Sequence, residues 1–501
     1  MSLSKKESQV HEETTGVYGA TAQSGSRSSG NVLSRAEVAP PIVTTTRQEF
    51  REISRTAAPL VMTFVLQMSL SFVSVVFVGR LNALALGGVS LANVTFTATM
   101  AVFQGLATCL DTLCPQAYGS KRYQLVGLYF QRCVAISVLF AVPIALLWWF
   151  SASILQLMVE DARLVAIAAN YLRVMVASIP GFVVFECGKK YLQAQRDFTT
   201  GQYILFVCAP LNVLANYIFI FRLGLGYIGA PIAVSSTFTL MGATLSGYIW
   251  YCARQESSVN CWNPLSNWRP IFSQWNTMIS LAVPGIIMIE AEFLAFESLT
   301  VLAAKFGTNA LAAQSVVASV QSLTFQVPFG TGVAASNRIA HYVGNKRTDD
   351  CRIATRATLL HIGGILAVAN FLILVLGRKK VSSFFSKDEE VAHLASQILP
   401  IIGVNQFADV FNVLAAGVLR AQGRQRIGGI LNVLAYYAVG IPLALTLGFY
   451  TDMGLKGFWT GLGCGIVVLA ISEVYCVWNS DWIKIIHDSH LVHKASAGNW
   501  E

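Results

Sequence analysis

The sequence predicts an all-α membrane protein of about twelve transmembrane helices, arranged in two pseudo-symmetric six-helix lobes. Three observations carry this. Of 501 residues, 54% are hydrophobic and only 12% charged, where a soluble domain has about 25% charged residues. Apolar segments of roughly 20 residues, long enough to cross a bilayer, recur along the chain. The two halves also repeat. A shift of 225 residues pairs Pro59 with Pro284, Ser90 with Ser315, Gly105 with Gly330, and Gly119-Ser-Lys-Arg122 with Gly344-Asn-Lys-Arg347. Farther on, Leu192-Gln-Ala-Gln195 resembles Leu419-Arg-Ala-Gln422. An even number of spans per half keeps both copies in one orientation, related by an axis along the membrane normal, which is a transporter architecture.

Residues 1–46 are polar and rich in Ser and Thr, which reads as a disordered cytosolic tail without the apolar core of a signal peptide. Arg47, Arg51 and Arg55 then precede the first span, placing that end in the cytosol by the positive-inside rule. Spans at about 57–78, 85–111, 126–150, 163–186, 202–221 and 228–252 make an N-lobe over 47–252. Trp148 and Trp149 end the third as interfacial aromatics, and Lys189, Lys190 and Arg196 fall in a cytosolic loop. Residues 253–275, with Trp262, Trp268 and Trp275, read as a linker lying along the membrane interface. Spans at about 278–303, 310–334, 354–376, 394–417, 427–449 and 456–478 make a C-lobe over 276–480, and 481–501 a cytosolic C-terminal tail. Basic clusters at Arg338–Arg356 and Arg420–Arg426 support this topology; Arg378, Lys379 and Lys380 dissent. The net charge of +9 belongs to these loops, so nucleic acid is not an expected partner. The ten cysteines are scattered without a Cys-x-x-Cys, which supports neither a disulfide framework nor a metal site.

The chemistry is concentrated in the seventh span, where Glu290, Glu292 and Glu297 interrupt an apolar run behind Pro284. An ionised group at bilayer depth costs roughly 3 kcal/mol or more, so intramembrane acids mark ion or substrate pathways. At about 100° per residue, Glu290 and Glu297 share a face and Glu292 points away from Glu290. The bland alternative is packing as neutral, hydrogen-bonded acids. The repeat sets Gln67 opposite Glu292, Ser74 opposite Leu299 and Asp111 opposite Ser336, so the acidic chemistry is expected in the C-lobe. Asp409, in a span that also holds Asn405, Gln406 and Asn412, is the natural partner of Glu292 or Glu297. Asn212, Asn216, Gln321, Asn412 and Asn432 are secondary cavity candidates or interhelical hydrogen-bonding groups. Asp111 lies near Lys121 and Arg122 at a cytosolic span end, and a local charge cluster is expected there. No phosphate-cradling loop, zinc-protease or nucleophile-elbow motif is present, which leaves an enzyme, a cofactor or ATP drive without support.

Several stretches resemble the MATE family, the multidrug and toxic compound extrusion transporters, in its eukaryotic and possibly fungal branch. They are Phe72-Val-Ser-Val-Val-Phe-Val-Gly79, Leu110-Asp-Thr-Leu-Cys-Pro-Gln-Ala-Tyr-Gly119, Tyr191-Leu-Gln-Ala-Gln195, Gly417-Val-Leu-Arg420 and Gly440-Ile-Pro442. The resemblance covers about residues 50–480. It implies a twelve-helix MATE/MOP-type fold and export of organic cations or amphipathic metabolites in exchange for protons. Glu292-Phe-Leu-Ala-Phe-Glu297 is similar to the family's Glu-x-x-Ala-aromatic-Glu, so the seventh-span role passes to Glu292 with Glu297 as companion, and the tenth-span acid to Asp409. Where many prokaryotic members have a first-span aspartate this chain has Ser74, and where some animal members have an eighth-span glutamate it has Ser319.

The expected mechanism is proton–substrate exchange at Glu292 and Asp409 by rocking of the lobes, with Glu290 and Gln67 lining the cavity and Asp111, Arg122 and Pro284 serving conformational change. The expected partners are small, cationic molecules, protons and the lipid bilayer; the expected protein is a monomer in the plasma or vacuolar membrane with both termini cytosolic. Sodium-coupled export, a lipid-type exporter of the same superfamily, and a transport-dead receptor or scaffold are the alternatives.

Overall fold

The computed structural model describes residues 44–497, apart from 158, 160, 255–260, 263–268 and 387. The expected tail segment 1–43, Trp268 of the linker and the last residues, 498–501, lie outside the described residues. All regular structure in the described residues is helical. The N-lobe holds α1 (Thr46–Val78), α2 (Ala83–Gly119), α3 (Tyr123–Trp149), α4 (Ala162–Ala194), α5 (Thr200–Arg222) and α6 (Gly226–Arg254). The C-lobe holds α7 (Trp275–Phe306), α8 (Thr308–Gly344), α9 (Thr348–Leu376), α10 (Glu389–Ala421), α11 (Gln425–Phe449) and α12 (Leu455–Trp478). A final helix, α13, spans Trp482–Ala497.

Eleven of these helices are long and apolar enough to cross a membrane. The remaining long one, α8, has 37 residues, and Gln314, Gln321, Gln326 and Asn337 dilute its hydropathy. These side chains are satisfied inside the protein: Gln314 bonds Thr300 and Trp459, Gln321 bonds Asp409, and Asn337 bonds its own helix. A polar span is tolerated in lipid when its polar groups find internal partners.

The repeat is written into the backbone. Lys121 and Lys346, 225 apart, both take the left-handed conformation, with φ of 61° and 59°. Arg122 N–H then reaches back to Ala117 O, and Arg347 N–H to Tyr342 O, at 3.0 Å each. Arg196 and Gly423 repeat the device at φ 68° and 71°. These left-handed residues reverse the chain at helix C-termini and satisfy carbonyls that the helix leaves open.

The lobes meet about the same pseudo-axis through glycines. A Cβ on Gly105 of α2 would stand 2.5 Å from Ile286 Cα of α7, and one on its mate Gly330 of α8 would stand 2.9 Å from Val61 N of α1. Gly119 lies against His341 O, and its mate Gly344 against Gln116 O. Across this interface Thr112 Oγ1 donates to Arg420 O at 2.5 Å and Gln116 Nε2 to Ala421 O at 2.8 Å. Close lobe–lobe approach therefore uses the C-terminal halves of α2 and α8, the end that carries the basic loops after them.

Several expectations shift. The expected C-terminal tail carries α13, which buries Trp482, Ile485 and Ile486 and bonds the N-lobe through Ser489–Gln116 at 2.7 Å and His493–Tyr129 at 3.0 Å. Lys189 and Lys190 belong to no loop: α4 continues to Ala194, and both lysines are buried. Trp148 is a core residue with its indole N–H on Thr99, while Trp149 is exposed. The predicted boundaries failed at these points because paired lysines and satisfied indoles can be buried where hydropathy alone places them at an edge.

Candidate functional site

α7 carries its three acids in three settings. Glu292 is half-buried and makes no hydrogen bond or ion pair with the described residues, although it feels the charges of Asp409, Arg420 and Glu473. Glu290 points elsewhere, toward Tyr437 of α11, with one carboxylate oxygen buried and unpartnered. Glu297, half-buried, lies five residues beyond Glu292, about 7.5 Å along the helix. The angular separation of Glu290 from Glu292 holds. Pro284 sits inside α7, where its carbonyl closes against Gly429 of α11.

Asp409 is fully buried on α10. Its Oδ2 accepts from Gln321 Nε2 of α8 at 2.9 Å and from Gln406 Nε2 at 3.4 Å; its Oδ1 has no partner among the described residues. Gln406 also donates to Gln321 Oε1 at 3.0 Å and accepts from Asn370 of α9 at 2.8 Å. Three helices thus hold one face of this carboxylate and leave the other free. Asn412, one turn on, is buried with Oδ1 unpartnered.

Below these acids lies a group that sequence reasoning missed. Glu473 of α12 is fully buried, accepting from Asn432 Nδ2 of α11 at 3.3 Å. Arg420 of α10, also buried, faces Glu473, Glu292 and Asp111, and Tyr436 of α11 faces all three C-lobe acids. The signal was available, since Glu473 is a lone carboxylate in an apolar span, but it lies five residues from the end of α12 and reads as an interfacial charge.

The N-lobe is built differently. Gln67 of α1 donates to Glu186 Oε1 of α4 at 2.7 Å, and Lys189 Nζ bonds both Gln67 Oε1 and Glu186 Oε1 at 2.9 Å. Gln67 thus sits in its own lobe's polar cluster. Asp111 of α2 pairs with Lys190 of α4 at 2.8 Å; the expected cluster with Lys121 and Arg122 is corrected, because α4 brings a lysine into the core that loop placement had kept outside. Arg122 precedes α3 and is half-buried. Asn212 bonds Leu70 O and Thr237, and Asn216 accepts from Ser74 at 3.0 Å, tying α1, α5 and α6. Asn212 and Asn216 are interhelical bonds, as is Asn432. A groove of about 560 Å³ flanks α4 and α6, lined by residues such as Val174, Ser235 and Leu240, and carries none of these acids.

The MatE family model matches residues 59–218 and 284–446, one stretch in each lobe. The chain belongs to the MATE family of membrane transporters. It is 41% identical to an uncharacterized transporter of Saccharomyces cerevisiae over 88% of this chain, and spans 63% of that relative's length. It is 30% identical to human Multidrug and toxin extrusion protein 1, over 89% of this chain and 77% of that one. The crystal structure of the eukaryotic MATE transporter AtDTX14 superposes with TM-score 0.82 at 26% identity, covering 89% of this chain and 98% of that one.

In this MATE protein the two lobes differ in electrostatics. Each buried N-lobe acid of α2 and α4 has a lysine within 3 Å. In the C-lobe Tyr436 faces Glu292, Asp409 and Glu473, Arg420 faces only Glu292 and Glu473 of these, and none of the three acids forms an ion pair among the described residues.

Proposed function

We propose that this MATE transporter exports organic cations or amphipathic cationic metabolites in exchange for protons, with Glu292 and Asp409 as the shared proton and substrate site. One observation carries the reading: among the described residues Glu292 has no hydrogen-bond or ion-pair partner and feels the charge of Asp409, whose Oδ1 is also unpartnered there. Two nearby carboxylates repel, which favours protonation of one of them. A cationic substrate competes for the same charge. Proton uptake from the outer side releases the substrate, and deprotonation toward the cytosol readies the site again. Alternating access follows from rocking of the two lobes about their glycine-lined seam. The basic loops support a membrane orientation with both termini cytosolic. The relatives' names, multidrug and toxin extrusion, favour an exported xenobiotic, and the acid surplus of the C-lobe favours a cationic one. Glu290 and Glu297 lie on the other face of α7 and stand outside this site, and Gln67 shapes the N-lobe face.

The test uses proteoliposomes with an acid interior, without sodium, and a fluorescent organic cation outside. Accumulation that collapses with a protonophore and is lost in Glu292→Gln supports the reading. Glu292→Gln that transports at the wild-type rate with unchanged pH dependence sinks it, and accumulation that instead requires a sodium gradient reassigns the coupling ion.

A further inference from the structure

We propose that Glu473 is the proton carrier between the Glu292–Asp409 site and the closed end of the lobes, with Arg420 as its fixed counter-charge. The inference rests on the antiport reading above and adds a route to it.

Glu473 lies closer to the closed end than Glu292 does. Met288, one turn before Glu292 on α7, and Glu473 Oε1 border the same glycine, Gly428 of α11: a Cβ there would meet Met288 Cε at 2.6 Å and Glu473 Oε1 at 3.4 Å. Arg420 is eleven residues beyond Asp409, about 16 Å farther along α10, and its own carbonyl accepts the lobe–lobe bond from Thr112. That end is shut by the Gly119–His341 and Gly344–Gln116 crossings. A proton held at Glu292 has to pass this seam to reach the cytosol.

Glu473 is equipped to take it. One oxygen is held by Asn432 and the other, Oε2, is buried and unpartnered. Arg420 Nε and Nη2 are buried and unpartnered as well. A buried arginine beside a buried glutamate that form no close pair are a poor structural bridge, since unmet buried charges are strongly unfavourable. They suit a relay. The charged or titratable groups facing Glu473 are Arg420 of α10, Glu292 of α7 and Tyr436 of α11. The step conserves charge. The Glu292 carboxyl O–H gives its proton to the Glu473 carboxylate, which becomes neutral as Glu292 becomes anionic; Arg420, facing both, stays protonated throughout. Glu473 then releases the proton to water on the cytosolic side.

The experiment separates substrate handling from proton release, using the full-length protein in liposomes with ethidium as the probe. Counterflow, with ethidium on both sides at equal pH, needs no net proton movement; gradient-driven uptake does. Glu473→Gln is expected to keep counterflow within about twofold of wild type and to lower gradient-driven uptake by at least about tenfold. Glu473→Asp is expected to restore much of it. Loss of both activities in parallel, or of neither, overturns the assignment. Infrared titration of the purified protein gives an answer independent of transport. Glu473→Gln is expected to remove one protonated-carboxyl band and to shift the titration of the rest. If wild type ignores the pH gradient, the antiport reading fails. In that case the band decides: its loss in Glu473→Gln with a shift in Glu292→Gln keeps proton exchange between the two acids, and its absence from wild type overturns it.

Discussion

Arg338→Met should loosen the closed end of the lobes. Glu49, at the start of α1, is fully buried. Its carboxylate accepts from Arg338 Nε at 3.1 Å and Nη2 at 2.9 Å, from Tyr342 OH at 2.6 Å and from Thr44 Oγ1 at 2.5 Å. Arg338 and Tyr342 belong to α8, so this latch joins the N-lobe to the C-lobe. Removing one partner of a buried ion pair costs about 3–5 kcal/mol. Taking up a proton instead, at pH 7 and from the ordinary carboxyl pKa of about 4.3, costs about 4 kcal/mol and offers no cheaper escape. The Arg338 side chain is 25% exposed, so water already screens part of the pair, and about 2–3 kcal/mol is the working figure. The loss falls on the closed state alone, which shifts the lobe equilibrium roughly 30- to 150-fold. Hydrogen exchange at residues 115–122 and 338–347 should accelerate accordingly. Glu49→Gln combined with Arg338→Met should lose much less than the sum of the single changes. Unchanged exchange in Arg338→Met, or strict additivity in the double variant, would refute the latch.

Two further expectations concern the same face. Gly344→Ala drives a methyl into Gln116 O and should destabilise the protein by about 1–3 kcal/mol, whereas Gly247→Ala, with nothing within 4 Å, should be silent in the same thermal melts. His493 of α13 has its pKa lowered to about 3 by burial, with Arg122 and His490 adding to the effect. The native state therefore refuses a proton that the detached helix accepts near the ordinary pKa of about 6.5. The contribution is complete above that pH and is lost as pH falls toward 3, the loss being about 2 kcal/mol at pH 5. With the intrinsic pH dependence of amide exchange divided out, protection over 482–497 should fall from pH 7 to 5 in wild type, and by much less in His493→Gln, where the weaker contribution of His490 remains.

The fold was legible because hydropathy and the repeat are properties of the chain itself: Gly105 and Gly330 pair in sequence, and they pair again as the two seams of the lobe interface. The acids of α7 and α10 were legible for the same reason, since a carboxylate in an apolar span stands out. The failures share a different cause. Lys189, Lys190 and Glu473 lie within a few turns of a helix end, where a charge is cheap in water. Whether such a residue turns inward depends on a partner on another helix: Glu186 and Asp111 for the lysines, Asn432 and Arg420 for the glutamate. That information is tertiary. The polarity of α8 misleads hydropathy in the same way, since the glutamines that lower it are the ones holding Asp409 and Trp459.

The repeat also explains why one lobe is neutral and the other is not. With the shift of 227 that aligns Leu192 with Leu419, Lys189 and Lys190 of α4 correspond to Ala416 and Gly417 of α10, and Glu186 to Val413. Asp111 corresponds to Ser336. The Asp111–Lys190 pair is thus absent from the C-lobe as a unit, both partners replaced by small residues, and Gly417 there packs directly on Gly332. Losing both partners of a buried pair is nearly neutral, whereas losing one is costly. The other N-lobe cluster did not go the same way. Gln67 corresponds to Glu292, so where the counterpart of α4 lacks both the carboxylate and the lysine, α7 carries an acid with no lysine to meet it. Arg420 is the one fixed cation facing that acid, and it forms no ion pair with it among the described residues. Under the exchange proposed above, a proton or a cationic substrate supplies the balancing positive charge, and their mutual exclusion at Glu292 is what such an exchange needs.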